Sequence, residues 1–129
     1  MEIPGKKKGP ADTARATGNA GEDRALAHLL GHGLKLLARN YRTPGRGGGE
    51  IDLVMREPGG TLVFVEVRQR RSGDFGGAAG SVGSIKQRRI VFAARHYLLR
   101  YAAPPACRFD VVGVEAGRLE WLRGAFDAD

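Results

Sequence analysis

The sequence has a single cysteine, few aromatic residues and no long hydrophobic run, and each scarcity excludes a class of protein. Cys107 alone cannot form an intramolecular disulfide or a cysteine-based zinc site, which favours a reducing cytoplasm. No apolar segment approaches the roughly 20 residues that a membrane-spanning helix needs. Three lysines near the N-terminus precede no apolar stretch, so the segment does not match a secretory signal. We therefore expect a cytoplasmic protein with no membrane segment.

Acidic residues are also scarce relative to basic ones. The chain has 21 Lys and Arg against 14 Asp and Glu, a formal net charge of +7 and a pI near 10.2. Such a charge favours a polyanionic partner, and nucleic acid, above all DNA, is the usual one. The alternative is a basic protein from an arginine-rich proteome. With 129 residues, the chain is long enough for one domain with a single core.

The hydrophobic pattern predicts one α/β domain over residues 17–129, preceded by a basic, flexible tail at 1–16. Predicted helices cover 17–31, capped by Thr17 or Asn19, and 84–101, capped by Ser84. Predicted strands cover 34–42, 50–56, 61–69, 107–115 and 118–123. The order α-β-β-β-α-β-β favours a mixed sheet flanked by helices, with glycine-rich, irregular chain from Gly73 to Gly83 and a flexible TPGRGGG loop.

The two most apolar strands each carry a carboxylate, Asp52 in IDLVM and Glu66 in LVFVEV. Their relative placement depends on the turn between the strands, because side chains alternate between the two faces. An even turn would pair Asp52 with Val65 and separate the acids. A three-residue turn, Pro58-Gly59-Gly60, pairs Asp52 with Glu66 and needs a left-handed residue that glycine supplies. We predict the second register.

Two carboxylates that share a buried face repel each other unless a cation lies between them. A divalent cation, Mg²⁺ or Mn²⁺, removes that repulsion because both prefer oxygen ligands. The alternative is that Asp52 and Glu66 lie at strand ends or pair with arginine. A third acid, Glu22, falls on the apolar stripe of the first helix, where it is expected to meet a cation or a metal-bound water. Its alternative role is to favour the helix dipole from the first turn.

This ordered set of residues resembles the PD-(D/E)XK nuclease signature, in which Asp52 is followed by Glu66-Val67-Arg68. The closer similarity is to the YraN-like family, small bacterial proteins with a restriction-endonuclease-like fold that are similar to archaeal Holliday junction resolvases. The resemblance covers roughly residues 18–114 and implies an α-β-β-β-α-β core. The segments that carry it are GNAGEDRALAHLLGHGLKLLARNYR, GGGEIDLV, LVFVEVRQR, Val82 to Lys86, AARHYL and RFDVVGV.

The resemblance implies that one or two divalent metals activate water to attack a DNA phosphodiester. Asp52 and Glu66 would be metal ligands, together with the backbone carbonyl of Val67. Glu22 would complete or support the site. In the superfamily, resolvases of branched DNA act as symmetric dimers, which implies a homodimer here.

Arg68 departs from the signature, which has lysine at this position. Arginine keeps the charge and can grip phosphate with two hydrogen bonds, but its pKa above about 12 prevents it from acting as a general base. Three explanations stay open. The metal alone lowers the pKa of the water, Lys86 reaches into the site, or catalysis is weak or absent. The alternative for Lys86 is a solvated lysine in the first turn of its helix.

The remaining basic residues predict a phosphate-binding rim around the metal site. Phosphate contacts supply affinity without sequence information, so any selectivity is expected to be for DNA shape. The alternative for the helix arginines is a solvated helix face. Asp110 is assigned to the outward side of its strand, and the three histidines to structural or surface roles. The predicted rim consists of Arg68, Arg70, Arg71, Lys86, Arg88 and Arg89.

Three hypotheses follow from the sequence. The first is a metal-dependent endonuclease, selective for branched DNA. The second is a nucleic-acid-binding module of the same fold without catalysis, which the arginine at position 68 favours. The third is a structural or partner-binding protein whose acids only pair with arginines.

Overall fold

The computed structural model describes residues 10–69 and 82–128, with side chains described from residue 20 onward. The elements follow the predicted order α-β-β-β-α-β-β. The helices are α1 (Pro10–Gly31) and α2 (Ser84–Leu98). The strands are β1 (Lys35–Arg42), β2 (Glu50–Arg56), β3 (Leu62–Gln69), β4 (Cys107–Glu115) and β5 (Arg118–Phe126).

The five strands form one mixed sheet in the order β1-β2-β3-β4-β5. Strands β3 and β4 pair in parallel, and the other neighbouring pairs are antiparallel. A parallel pair needs a crossover connection, and α2 lies in the chain between β3 and β4. The predicted mixed α/β fold is therefore confirmed.

One helix packs on each face of the sheet, so the protein has two hydrophobic layers. Ala25 and Leu29 of α1 pack with Val63 and Val65 of β3 on one face. On the other face, the α2 side chains pack around Phe64. The central strand β3 is buried on both faces, which explains why its sequence LVFV is continuously apolar. The α2 residues in this layer are Ile90, Val91, Ala93, Ala94 and Tyr97.

Several predicted boundaries were wrong. Helix α1 begins at Pro10 and continues through Thr17 and Asn19, so neither residue caps it. Proline suits the start of a helix because its missing N–H would have no helical partner there. At α2 the cap is Gly83 in extended conformation, with no side-chain hydrogen bond, so Ser84 does not cap the helix.

No helix of the described residues is long and apolar enough to cross a membrane.

The β2–β3 hairpin has the predicted register. It pairs Leu53 with Val65 and Arg56 with Leu62. In this register, Asp52 and Glu66 are the next two residues along the strands. The turn is closed by Glu57 and Thr61, whose N–H and carbonyl are 3.0 Å apart, and three residues lie between them. Gly60 has φ of +100°, the left-handed conformation that this turn length requires.

Candidate functional site

The ladder between β2 and β3 ends at the Leu53–Val65 pair, and the two acids follow at that end. In a continuing antiparallel ladder, the N–H of Val67 would bond to the carbonyl of Ile51. Instead, the Val67 N–H donates to Oδ2 of Asp52 at 2.8 Å. The Asp52 carboxylate therefore lies between two diverging strands, where it replaces a backbone acceptor.

The strand alternation is interrupted at Asp52. Ile51 and Val54 both pack in the α2 layer, while Leu53 packs in the α1 layer. Strict alternation would place Ile51 and Leu53 on the same face. On the neighbouring strand β1, the residue opposite Asp52 is Asn40, which has a φ of +55°. Both strands thus depart from regular geometry at the same level of the sheet, and this irregularity positions the Asp52 carboxylate.

Glu66 is buried and is surrounded by positive charge. Its side chain is 4% exposed, and Oε2 lies 3.3 Å from Nη1 of Arg68 and 3.5 Å from Nζ of Lys86. Lys86 is in the first turn of α2, so its stem extends toward the sheet end while the side chain stays 44% exposed. Lys86 therefore contacts Glu66 at the edge of the cleft while much of its side chain remains exposed.

Asp52 lacks the compensation that Glu66 receives. Burial, followed by the negative charge of Glu66, raises the pKa of Asp52 to about 8, against the lowering effect of the Val67 hydrogen bond. Glu22 and Glu50 raise it further. Among the described residues, Asp52 forms no salt bridge. Its carboxylate therefore has a deficit of positive charge that a bound cation would correct.

Glu22 lies at the same end of the sheet but is paired with an arginine. Its Oε1 accepts a hydrogen bond from Nε of Arg39 at 3.2 Å, and Asp23 binds the same guanidinium at 2.7 Å. A Cβ on Gly21 would lie 2.9 Å from the Gln69 side chain, so α1 passes close to the end of β3 here. Because α1 begins at Pro10, Glu22 is not in its first turn, and the helix-dipole alternative was wrong.

The acids line a cleft of about 270 Å³ at the diverging strand ends. No group of three or more His, Cys, Asp or Glu side chains is placed to hold a metal ion within residues 20–69 and 82–128. Glu22 therefore does not join Asp52 and Glu66 in one cluster. Two carboxylates still fit Mg²⁺, which keeps several waters and takes oxygen ligands. The cleft is lined by Glu22, Glu50, Asp52, Glu66, Val67, Arg68, Gln69 and Lys86.

The predicted phosphate rim is only partly assembled in this cleft. Arg68 and Lys86 line it. Arg88 and Arg89 are exposed on α2 and line other clefts, Arg88 one that Asp127 also lines and Arg89 one that adjoins the acids. Arg70 and Arg71 lie outside the described residues, as does most of the segment from Gly73 to Gly83.

Asp110 is not an outward-facing residue, and that assignment was wrong. It is fully buried and accepts hydrogen bonds from Nε of Arg108, from the Trp121 indole and from the Gly124 N–H, at 2.9–3.0 Å. Arg108 also binds Glu57 beside the hairpin turn at 2.8 Å. The network connects β4 to β5 and to the β2–β3 turn, which is a structural role, and Asp110 does not line the cleft.

A second cleft of about 400 Å³ was not identified from the sequence. It adjoins the first, because Glu50 and Lys86 line both. The TPGRGGG loop, predicted to be flexible, forms one wall. The two ends of the loop are joined by a hydrogen bond of 2.8 Å from the Gly49 N–H to Oγ1 of Thr43. Its glycines had suggested only flexibility. The lining residues are Arg42, Thr43, Gly45, Gly47, Gly48, Gly49, Glu50, Lys86 and Arg89.

The fold and the first cleft define a small α/β protein with a carboxylate site at the diverging end of a mixed sheet. Residues 21–114 match the family described as Uncharacterised protein family UPF0102, and the chain belongs to this family. A UPF0102 protein from Acidovorax sp. (strain JS42) is 69% identical, with 99% of each chain covered. Another, from Paracidovorax citrulli, is 67% identical over 90% of this chain and 86% of its own.

Proposed function

We propose that the protein is a Mg²⁺- or Mn²⁺-dependent endonuclease that hydrolyses DNA phosphodiester bonds. The observation that carries the proposal is the placement of Asp52 beside buried Glu66 at the diverging strand ends, with Asp52 lacking a cationic partner among the described residues. Two cationic side chains, Arg68 and Lys86, lie in the same cleft. The net charge of +7 is consistent with a polyanionic substrate. The likeness to the PD-(D/E)XK superfamily supports the same activity.

The carboxylates of Asp52 and Glu66, with the Val67 carbonyl, would hold the metal. A bound divalent cation would supply a water of lowered pKa and polarise the phosphate. The Val67 N–H keeps the Asp52 carboxylate oriented through its 2.8 Å hydrogen bond. Because Glu66 is almost fully buried, its second role is to hold Arg68 and Lys86 at the entrance to the cleft.

The two cations would divide the work of the signature lysine. Arg68 presents the N–H donors of a guanidinium, so it would bind phosphate oxygens and stabilise the charge that develops on them. Lys86 carries three N–H donors on a flexible stem and lies 3.5 Å from Glu66. Its ammonium group would orient the attacking water and stabilise the negative charge that develops on the phosphate. We infer that Lys86 substitutes for the missing lysine at position 68.

A second candidate function is DNA binding without catalysis. It is favoured by Arg68 itself, which cannot act as a base, and by the pairing of both cations with Glu66. In either case, we propose DNA as the partner and branched DNA as its preferred form. A homodimer would match the two-fold symmetry of a four-way junction.

A nicking assay distinguishes the candidates. The purified protein is incubated with labelled four-way-junction, flap, single-stranded and duplex DNA in Mn²⁺, Mg²⁺ or EDTA. The endonuclease predicts metal-dependent nicking that Asp52→Asn and Glu66→Gln abolish and that Asp127→Asn retains, because Asp127 is an exposed acid outside the cleft. Binding without nicking would support the second candidate. Neither binding nor nicking would contradict both.

A further inference from the structure

We propose that the second cleft binds a DNA phosphate next to the one that is cut, so that one strand passes through both clefts. This inference rests on the proposed function, because it takes the first cleft as the reaction site. The second cleft is the larger of the two and shares Glu50 and Lys86 with the first. A strand bound at Lys86 therefore has a continuous path into the second cleft.

The charge of the second cleft suits a phosphate. Arg42 reaches it from the end of β1, and Lys86 and Arg89 reach it from α2. Within the part of the lining that the structure describes, one acid accompanies these three cations: Glu50, whose Oε1 lies 3.6 Å from Nε of Arg42. Guanidinium groups present paired N–H donors that match phosphate oxygens, and the cleft has two of them, Arg42 from β1 and Arg89 from α2.

The glycine-rich wall of this cleft is held in place by packing and hydrogen bonds. A Cβ on Gly49 would lie 1.9 Å from the backbone carbonyl oxygen of Arg89, so the loop packs directly against the α2 backbone. A Cβ on Gly48 would lie 2.2 Å from Oγ1 of Thr43. Thr43 and Gly49 also exchange backbone and side-chain hydrogen bonds of 3.0 and 2.8 Å. These contacts fix the distance between the loop and α2.

A wall without side chains also lets a ligand approach the backbone closely, as happens where glycine-rich loops bind phosphate. Gly45 and Gly47 have φ of +85° and +69°. Glycine adopts this left-handed conformation without steric cost, and it lets the loop turn around the cleft. None of the described residues that line the cleft has a large apolar side chain, so this lining favours a polar ligand. The glycine wall, fixed against α2, and the two guanidinium groups that line the same cleft together point to the backbone of a nucleic acid strand.

The test measures DNA binding in EDTA, where no nicking occurs. A fluorescein-labelled four-way junction and the matching duplex are titrated with wild type, with Arg42→Gln/Arg89→Gln and with Arg42→Lys/Arg89→Lys. The control is Arg95→Gln/Arg118→Gln, which removes the same charge from exposed residues outside both clefts. We expect the first double variant to bind about tenfold more weakly and to lose roughly one or two units of salt slope. The lysine variant should recover most of the affinity, and the control should lose much less.

Two results would overturn the inference. One is equal affinity of Arg42→Gln/Arg89→Gln and the control, and the other is no DNA binding by the wild type in EDTA. In the nicking assay, the same double variant should raise KM and leave kcat within about twofold of the wild type. Weakened binding by this variant, in a protein whose wild type never nicks DNA, would support the second cleft and contradict the endonuclease. Nicking that depends on Asp52 but not on Arg42 or Arg89 would support the endonuclease and contradict the second cleft as a phosphate site.

Discussion

The backbone N–H of Val67 donates to the carboxylate of Asp52 at 2.8 Å, so a side chain of β2 completes the hydrogen bonding of β3. This bond joins the two strands at the point where their ladder stops. It also fixes one oxygen of a carboxylate whose pKa is raised to about 8 by burial and by Glu66. The same carboxylate is thus held in place by one neighbour and destabilised in its ionised form by another.

The first prediction concerns metal binding measured without activity. Mn²⁺ should raise the melting temperature of the wild type, because a ligand that binds only the folded state stabilises it by mass action. Asp52→Asn and Glu66→Gln should lose most of that increase, whereas Asp127→Asn should keep it. The measurement is a thermal shift titration with Mn²⁺ or Mg²⁺ against EDTA. An equal shift in the wild type and in both cleft variants would contradict a metal held by these carboxylates.

The second prediction concerns the pH dependence of stability in EDTA. The folded state holds the Asp52 proton more tightly than the unfolded state, where the pKa is near its ordinary 3.8. The resulting stabilisation is complete below that value and is lost as the pH rises toward about 8. Asp52→Asn keeps an acceptor for the Val67 N–H and removes the charge.

The free energy of unfolding of Asp52→Asn, relative to that of the wild type, should therefore rise by on the order of 2 kcal/mol from about pH 5 to about pH 9. One pKa unit corresponds to about 1.4 kcal/mol, and water in the cleft reduces the total. Urea denaturation of both proteins at the two pH values gives this difference. A constant difference between them across that range would be inconsistent with a raised Asp52 pKa.

The third prediction separates Lys86 from its neighbours on α2. Lys86→Met should lower the rate of metal-dependent nicking by about 100-fold, the usual effect of removing one group that stabilises the transition state. Arg88→Met removes the same charge from an exposed position that does not line the cleft, and it should change the rate by less than about threefold. Single-turnover rates at saturating DNA make the comparison. Equal rates for the two variants would exclude a role for Lys86 in the reaction.

The fourth prediction concerns the buried network of Asp110. Asp110→Ala leaves Arg108, the Trp121 indole and the Gly124 N–H without their acceptor, so it should lower the free energy of unfolding by roughly 3 kcal/mol. Asp127→Ala removes an exposed acid and should change it by less than about 0.5 kcal/mol. Chemical denaturation provides both values. A small effect at Asp110 would mean that water replaces the carboxylate.

The fifth prediction tests the packing of the glycine loop on α2. Gly49→Ala places a Cβ against the Arg89 carbonyl and should destabilise the protein by roughly 1–3 kcal/mol. Gly59→Ala is the matched control, because a Cβ there meets no atom within 4 Å. Thermal unfolding of the two variants checks the difference. Similar melting temperatures would show that the loop does not rest on the helix.

The β2–β3 hairpin and the two helices that cover the sheet could be predicted from the sequence, because their hydrophobic patterns are local. The length of the Pro-Gly-Gly turn was sufficient to predict the register that pairs Leu53 with Val65, next to which Asp52 and Glu66 follow. The interrupted alternation at Asp52 could not be predicted. The start of α1 could not be predicted, since the residues before Thr17 have no apolar stripe to mark a helix. The partner of Glu22 could not be predicted either, because Arg39 is on another element and only the folded sheet brings the two together.

Asp110 shows the limit of alternation more directly. A polar residue in a strand is expected to face solvent, but Arg108, Trp121 and Gly124 together satisfy its carboxylate in the interior. The second cleft was missed for a related reason. Glycine marks a permitted backbone conformation, and only the contacts of Gly48 and Gly49 show that the chain approaches a helix there.

The three-residue turn at Pro58-Gly59-Gly60 acts on the site from the opposite end of the hairpin. Since the paired positions of an antiparallel hairpin keep a constant sum, one inserted or deleted residue would pair Asp52 with a neighbour of Glu66 on the other face. Substitutions in the turn leave that pairing unchanged as long as a residue can adopt the left-handed conformation of Gly60. The length of this turn, more than its chemistry, therefore determines whether the two carboxylates meet.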